Sequence, residues 1–98
     1  MLPRYEVDLH IEQLLPDHRG MQAGDILDLQ LRTLEREVLR AISCRQDKLV
    51  IIHGLGKGVL KEQVARYLVG LREVKDFRNE WHPKYGFGAT EIFFYQNG

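Results

Sequence analysis

Three short stretches of the chain hold residue types suited to chemistry. Asp8-Leu9-His10 sets a carboxylate and an imidazole two positions apart, so on an extended backbone both leave the same side. Such a pair can act as a base with its orienting carboxylate, as ligands to a loosely held cation, or as donors to a phosphate. It can equally hydrogen-bond loop backbone and fix a turn. The second stretch is His53-Gly54-Leu55-Gly56-Lys57-Gly58. Glycines at alternating positions leave backbone N–H groups unobstructed, and they run directly into a helical pattern whose N-terminus attracts anions. Lys57 adds a mobile positive charge. Gly54, Gly56, Lys57 and Gly58 are therefore the expected phosphate-binding set, and a tight turn alone needs fewer glycines. His53 can work as acid or base near neutral pH or stabilise charge on a phosphate; its plainer role is an imidazole locked by a neighbouring carbonyl. In the third stretch, Trp81 and Tyr85 can stack on unpaired bases while Arg78, His82 and Lys84 meet phosphates. Aromatics in such a hairpin also commonly cover the end of a core.

The glycine stretch is neither a Walker loop, which needs four residues between its first glycine and Gly-Lys-Ser/Thr, nor a dinucleotide fingerprint, because no acidic residue stands at a suitable distance for ribose. No nucleotide cofactor is expected. Asp8, His10 and His53 supply at most three metal ligands with no evident fourth, so no tightly bound metal is expected. A magnesium or manganese ion shared with the substrate, on Asp8 and His10, is the form metal binding would take.

These residues must be positioned by regular elements, and the patterning supplies them. Tyr5, Val7 and Leu9 alternate with polar residues over Arg4–His10, which predicts a half-buried strand. Leu14–Ala23, with Pro16, Asp17 and Gly20, predicts a loop. Leu27, Leu31, Leu34, Val38 and Ala41/Ile42 recur at helical spacing from Gly24 to Ser43, with Gly24 or Asp25 as N-cap. Arg32, Arg36 and Arg40 fall on one face of that helix and read as a solvated stripe relieved by Glu35 and Glu37. Lys48–His53 is β-branched and apolar without alternation, which suits a central strand covered on both faces. Val59–Gly70 predicts a second amphipathic helix, and Glu73–Arg78 and Ala89–Tyr95 two more strands. The order βαβαββ implies an α/β fold, a two-layer sandwich with a mixed four-stranded sheet and two helices. Strands joined by helices should pair in parallel and the last two should form an antiparallel hairpin. Polar residues at the carboxyl ends of parallel strands then converge where open sheets bind ligands.

Composition frames this reading. The chain has 98 residues, 44% hydrophobic and 29% charged, which fits one domain over 1–98 with its core at about 4–95. No apolar run is long enough to span a membrane, so a membrane partner is not expected. A lone cysteine, Cys44, excludes an internal disulfide and suits a cytoplasmic location; near the helix end it should be buried or half-buried, and it is assigned no chemistry. Fourteen Lys/Arg balance fourteen Asp/Glu. By halves, residues 1–49 hold 7 basic and 9 acidic side chains and residues 50–98 hold 7 and 5, a slight asymmetry that permits an anionic partner without requiring one.

Asp8-Leu9-His10, His53-Gly54-Leu55-Gly56-Lys57-Gly58-Val59-Leu60 and Gly88-Ala89-Thr90, in this order and with helices between them, resemble the signatures of the Smr (small MutS-related) domain family over Glu6–Tyr95. The resemblance implies a βαβαββ fold, binding to DNA or RNA and, in several members, a divalent-metal-stimulated nicking endonuclease activity with Asp8, His10 and His53 as catalytic residues. It also implies that such a domain can be the C-terminal module of a larger protein. Two features depart from the family pattern: Ile11 replaces the usual glycine after Asp-Leu-His, and Glu12–Ala23 is longer than usual. Both adjoin the site. The alternatives are a non-catalytic adaptor for RNA, DNA or a ribonucleoprotein, and a protein-interaction module in which the glycines are structural.

Overall fold

The computed structural model describes residues 5–54, 58–84 and 86–96. Along the chain lie β1 (Glu6–Asp8), α1 (Ile11–Leu14), α2 (Ala23–Ser43), β2 (Lys48–Ile52), α3 (Val59–Val69), β3 (Val74–His82) and β4 (Gly86–Phe94). The strands make one mixed sheet in the order β1-β2-β4-β3. β1 runs parallel to β2, and β4 is antiparallel to both of its neighbours. The α/β class and the four strands agree with the expectation from patterning.

One pairing does not. β2 and β3 are linked by a helix yet do not pair, because β4 lies between them. Composition explains the choice. β4 carries Ile92 and Phe94 into the core, so it takes the inner slot with a partner on each side. β3 is rich in charge (Lys75, Asp76, Arg78), which suits an edge. The hairpin is also longer than expected. Of the stretch between the two expected strands, residues 79–82 and 86–88 belong to β3 and β4.

At the other edge the first strand stops at Asp8 instead of His10. Asp8 Oδ1 accepts the His10 backbone N–H at 2.9 Å, a local bond that draws the chain out of the ladder. The single turn α1, absent from the sequence reading, follows at once and buries Ile11.

Register fixes the two faces of the sheet. Val7 stands opposite Ile51, and Leu49 opposite Ile92, so these side chains share a side. With Leu9 and Phe94 they pack against Leu34, Val38 and Ala41 of α2 and Val64 and Leu68 of α3. On the opposite side lies the row Glu6, Val50, Glu91, Arg78. That side is partly covered too: Ile52 and Ala89 point there and are each only 1% exposed. β2 is therefore buried on both faces, as its unbroken apolar run requires.

α2 opens on a capping box formed by Gln22 and Asp25, so Asp25 is the third helical residue and not the cap. At its far end the Gln46 N–H reaches the Ala41 carbonyl at 3.0 Å and the Arg45 N–H reaches Ile42 at 3.0 Å, a Schellman closure. Cys44, the C-cap, is exposed, contrary to the expectation of a half-buried thiol; the closure turns it outward while Gln46 turns in. The arginine stripe is not wholly solvated either. Glu37 is 4% exposed and takes Arg36 and Arg40 at 3.8 and 3.7 Å.

Arg45 occupies the position where such closures usually have glycine, with φ +57°. Arg45→Gly should raise the unfolding free energy by up to about 1 kcal/mol, the left-handed cost of a side chain less the added backbone freedom of glycine. A urea titration of both proteins checks this.

Candidate functional site

Asp8 and His10 leave the end of β1 together, as their spacing requires. His10 Nδ1 and Asp8 Oδ1 are 2.6 Å apart. An ionised carboxylate only accepts, so it fixes the proton on Nδ1. Nε2 is aimed at Gly54, the first residue beyond β2 and His53. A β-carbon built on Gly54 would stand 2.8 Å from that nitrogen, and Gly54 has φ +80°. Both facts make glycine obligatory here. Asp8, His10 and Gly54 thus lie together at one edge of the sheet.

His53 behaves differently. In alternation it follows Ile51, so its ring faces the helices while Asp8 faces the other side. It is 8% exposed. Its Nδ1 lies 3.0 Å from the Gly54 carbonyl and its Nε2 lies 2.8 Å from Thr90 Oγ1. A carbonyl cannot donate, so Nδ1 carries the hydrogen and Nε2 accepts from the threonine hydroxyl. Burial pushes this imidazole below the ordinary histidine range, against the Gly54 carbonyl bond, and the positive charge of Lys61 and then His10 act in the same direction as burial. The placement of His53 directly against a reacting phosphate is therefore corrected: it is a buried neutral ring joining β2 to β4.

The same junction is held by backbone. The Gly88 carbonyl accepts the N–H groups of both His53 and Gly54 at 2.9 Å. Asn79 braces the next layer: its Nδ2 donates to the carbonyls of Phe87 and Ala89 at 2.7 and 2.6 Å, and its Oδ1 accepts from Lys61 Nζ at 3.0 Å. Sequence reasoning gave no role to Thr90, Asn79, Lys61 or Phe87. Only Thr90 carried a signal, as the end of the Gly88-Ala89-Thr90 triplet.

Of the phosphate set, Gly58 caps α3 with φ +82°; Gly56 and Lys57 lie outside the described residues, as does Tyr85. The remaining hairpin candidates divide. The Arg78 guanidinium lies 5.0 Å from the Phe93 ring and 3.5 Å from Asp76. His82 Nδ1 accepts the Lys84 N–H at 3.0 Å, so its Nε2 donates to Glu6 at 3.0 Å, tying the hairpin to the opposite edge strand. Both are engaged within the fold. Lys84 is exposed in the turn, and Trp81 stands exposed against Phe87.

Among the described residues no group of three or more His, Cys, Asp or Glu side chains converges, and Asp8 and His10 are bonded to each other. Among the same residues no helix is long and apolar enough to cross a membrane.

The chain is an open mixed sheet of the α/β class with Asp8, His10 and Gly54 gathered at the carboxyl ends of its two parallel strands. The chain belongs to the Smr domain family, whose profile matches residues 17–95. Asp8 and His10 lie ahead of that matched stretch. Curated relatives include Endonuclease MutS2 of Fusobacterium nucleatum subsp. nucleatum, 32% identical over 69 residues covering 70% of this chain. Endonuclease MutS2 of Pelotomaculum thermopropionicum is 34% identical over 76 residues covering 78%. The chain spans 9% of the length of each of these relatives. In fold it is similar to the crystallised Smr domain of Thermus thermophilus MutS2, with a TM-score of 0.68 at 22% identity, covering 92% of this chain and 96% of that one. YdaL, a stand-alone small MutS-related protein from Escherichia coli, matches with a TM-score of 0.62 at 18% identity over 92% of this chain and 63% of its own.

Two outcomes follow from this geometry. Gly54→Ala should cost about 1–2 kcal/mol through its left-handed backbone and should displace the His10 ring, read by denaturation and by the imidazole signals in NMR. Because the folded chain disfavours the His53 proton, the unfolded chain binds more protons below about pH 6.5, so this contribution to stability is full above that value and declines as pH falls. The unfolding midpoint should drop between about pH 7.5 and about pH 5.5, and less steeply in His53→Gln.

Proposed function

We propose that this chain is a nucleic-acid-binding domain that nicks a phosphodiester backbone, with His10 as general base. The observation that carries this reading is the Asp8–His10 pair, 2.6 Å apart at the end of β1, with the imidazole packed against Gly54 where the glycine stretch begins. The loop leads to the N-terminus of α3, where backbone N–H groups and the helix dipole favour a phosphate. A sugar-phosphate seated there has its phosphorus beside the imidazole. Nε2 takes a proton from the attacking water or ribose hydroxyl, the new P–O bond forms, and the leaving oxygen departs to be protonated by solvent or by the imidazolium. Asp8 holds the ring in the tautomer this requires. His53 acts at one remove, by holding the Gly54 end of the loop against β4 through Thr90. Membership of a family with Endonuclease MutS2 relatives supports the reading.

A second reading is a binding module without turnover, favoured by the position of Asp8 and His10 outside the stretch matched by the family profile. One experiment separates the two. Supercoiled and branched DNA and structured RNA are incubated with the wild-type chain, with and without magnesium or manganese, and with Asp8→Ala and His10→Ala. Nicking should fall about 10²- to 10⁴-fold in His10→Ala. Equal nicking by all three proteins points to a contaminant and ends the catalytic reading. Binding that weakens with salt and with Lys57→Glu, in the absence of any cleavage, establishes the module instead.

A further inference from the structure

We infer that Trp81 and Phe87 form a stacking platform for one unpaired base, so that the domain selects nucleic acid carrying a single-stranded gap or end beside the phosphate at the glycine loop. This inference rests on the nucleic-acid reading above and narrows it to a substrate class.

Among the described residues, the two rings are the aromatic feature left uncovered at this end. Trp81 is 65% exposed and Phe87 55%. They meet edge to face, with centroids 5.6 Å apart and planes at 73°, so Phe87 props the indole and leaves a broad aromatic surface open. The backbone is shaped to present them. Between the pairs Glu80–Ala89 and His82–Gly86 the ladder slips, and Trp81 opposes both Phe87 and Gly88. Such a bulge re-aims side chains. Gly86 lets the indole rest on the turn: a β-carbon there would lie 3.4 Å from the ring. Rings that closed the end of the core would be buried, and these are not.

The platform is also registered to the proposed phosphate site. Phe87 adjoins Gly88, whose carbonyl holds the N–H groups of His53 and Gly54. Asn79, two residues before Trp81, bonds the Phe87 carbonyl and Lys61 in the first turn of α3. The ring pair is thereby tied both to Gly54 and to the first turn of α3. A flat aromatic surface tied to Gly54 and to the start of α3, with Lys84 exposed in the turn that follows Trp81, matches a nucleotide: base on the rings, phosphate at the helix N-terminus. In a continuous duplex the neighbouring pairs already cover both faces of every base, so the occupant is an unpaired one.

Trp81 is the sole tryptophan of the chain, so its fluorescence reports the contact directly. The chain is titrated with a labelled blunt duplex and with the same duplex carrying a short single-stranded gap. The gapped form should quench Trp81 and bind more tightly. By anisotropy, Trp81→Ala should weaken the gapped complex roughly five- to a hundredfold while leaving the blunt complex within about twofold. Trp81→Phe should retain most of the preference. Equal affinity of the wild type for both forms, or a Trp81→Ala variant indistinguishable from it, overturns the platform. If Lys57→Glu then still abolishes binding to both forms, nucleic-acid recognition stands without it. Failure of the wild type to bind either form overturns both readings.

Discussion

The close approach of Gly54 to the His10 imidazole organises this end of the molecule. A β-carbon would lie 2.8 Å from Nε2, so the contact tolerates almost no drift in either partner. His10 is gripped by the Asp8 carboxylate and backbone at the end of β1. Gly54 is gripped by β4, because its N–H shares the Gly88 carbonyl with His53, and the His53 ring reaches on to Thr90. The site thus inherits its accuracy from the β2–β4 register, in which Ile51 stands opposite Thr90 and Ile52 opposite Ala89. That register is in turn set by burial: a slip of one residue would carry Ile51 and Ile92 away from the helices and bring polar neighbours in. Core packing, strand register, loop placement and the direction of one lone pair form a single chain of dependence.

Much of this was legible in the residues, for reasons of period. The unbroken apolar run Leu49–Ile52 required a strand covered on both sides, and the glycine loop after it followed from residue type alone. What stayed hidden depended on partners far off in sequence. Nothing local distinguishes a histidine that meets substrate from one buried against a hydroxyl, and the hydroxyl that decides the matter for His53 is 37 residues away. Phe87 was passed over because its neighbours Gly86 and Gly88 make it look like loop, whereas both glycines belong to a bulged hairpin that presents the ring. The edge position of β3 lay in its charges, but reading it needed the knowledge that β4 carries the core residues of the pair. The exposed Cys44 follows from a helix closure built on Arg45, a residue that does not announce a left-handed turn.

The zero net charge of the chain takes on a different meaning once its ion pairs are placed. Arg19 lies with Asp17 at 3.1 Å, Arg66 with Glu62 at 3.4 Å and Arg78 with Asp76 at 3.5 Å, while Glu37 takes Arg36 and Arg40. Exposed pairs of this kind add little stability, yet each cancels a charge that would otherwise contribute to a long-range positive field. General affinity for nucleic acid scales with the number of phosphates neutralised, so a surface paired in this way has little of it. The groups proposed to meet phosphate are of another kind: backbone amides at the start of α3, worth nothing unless a phosphate arrives in the right place. A domain built in this manner discriminates by shape before it discriminates by charge. Its affinity must come from contacts that only a particular local structure can complete, which is why a platform for a single base, tied to the same glycine loop through Gly88, carries more weight than another surface lysine would.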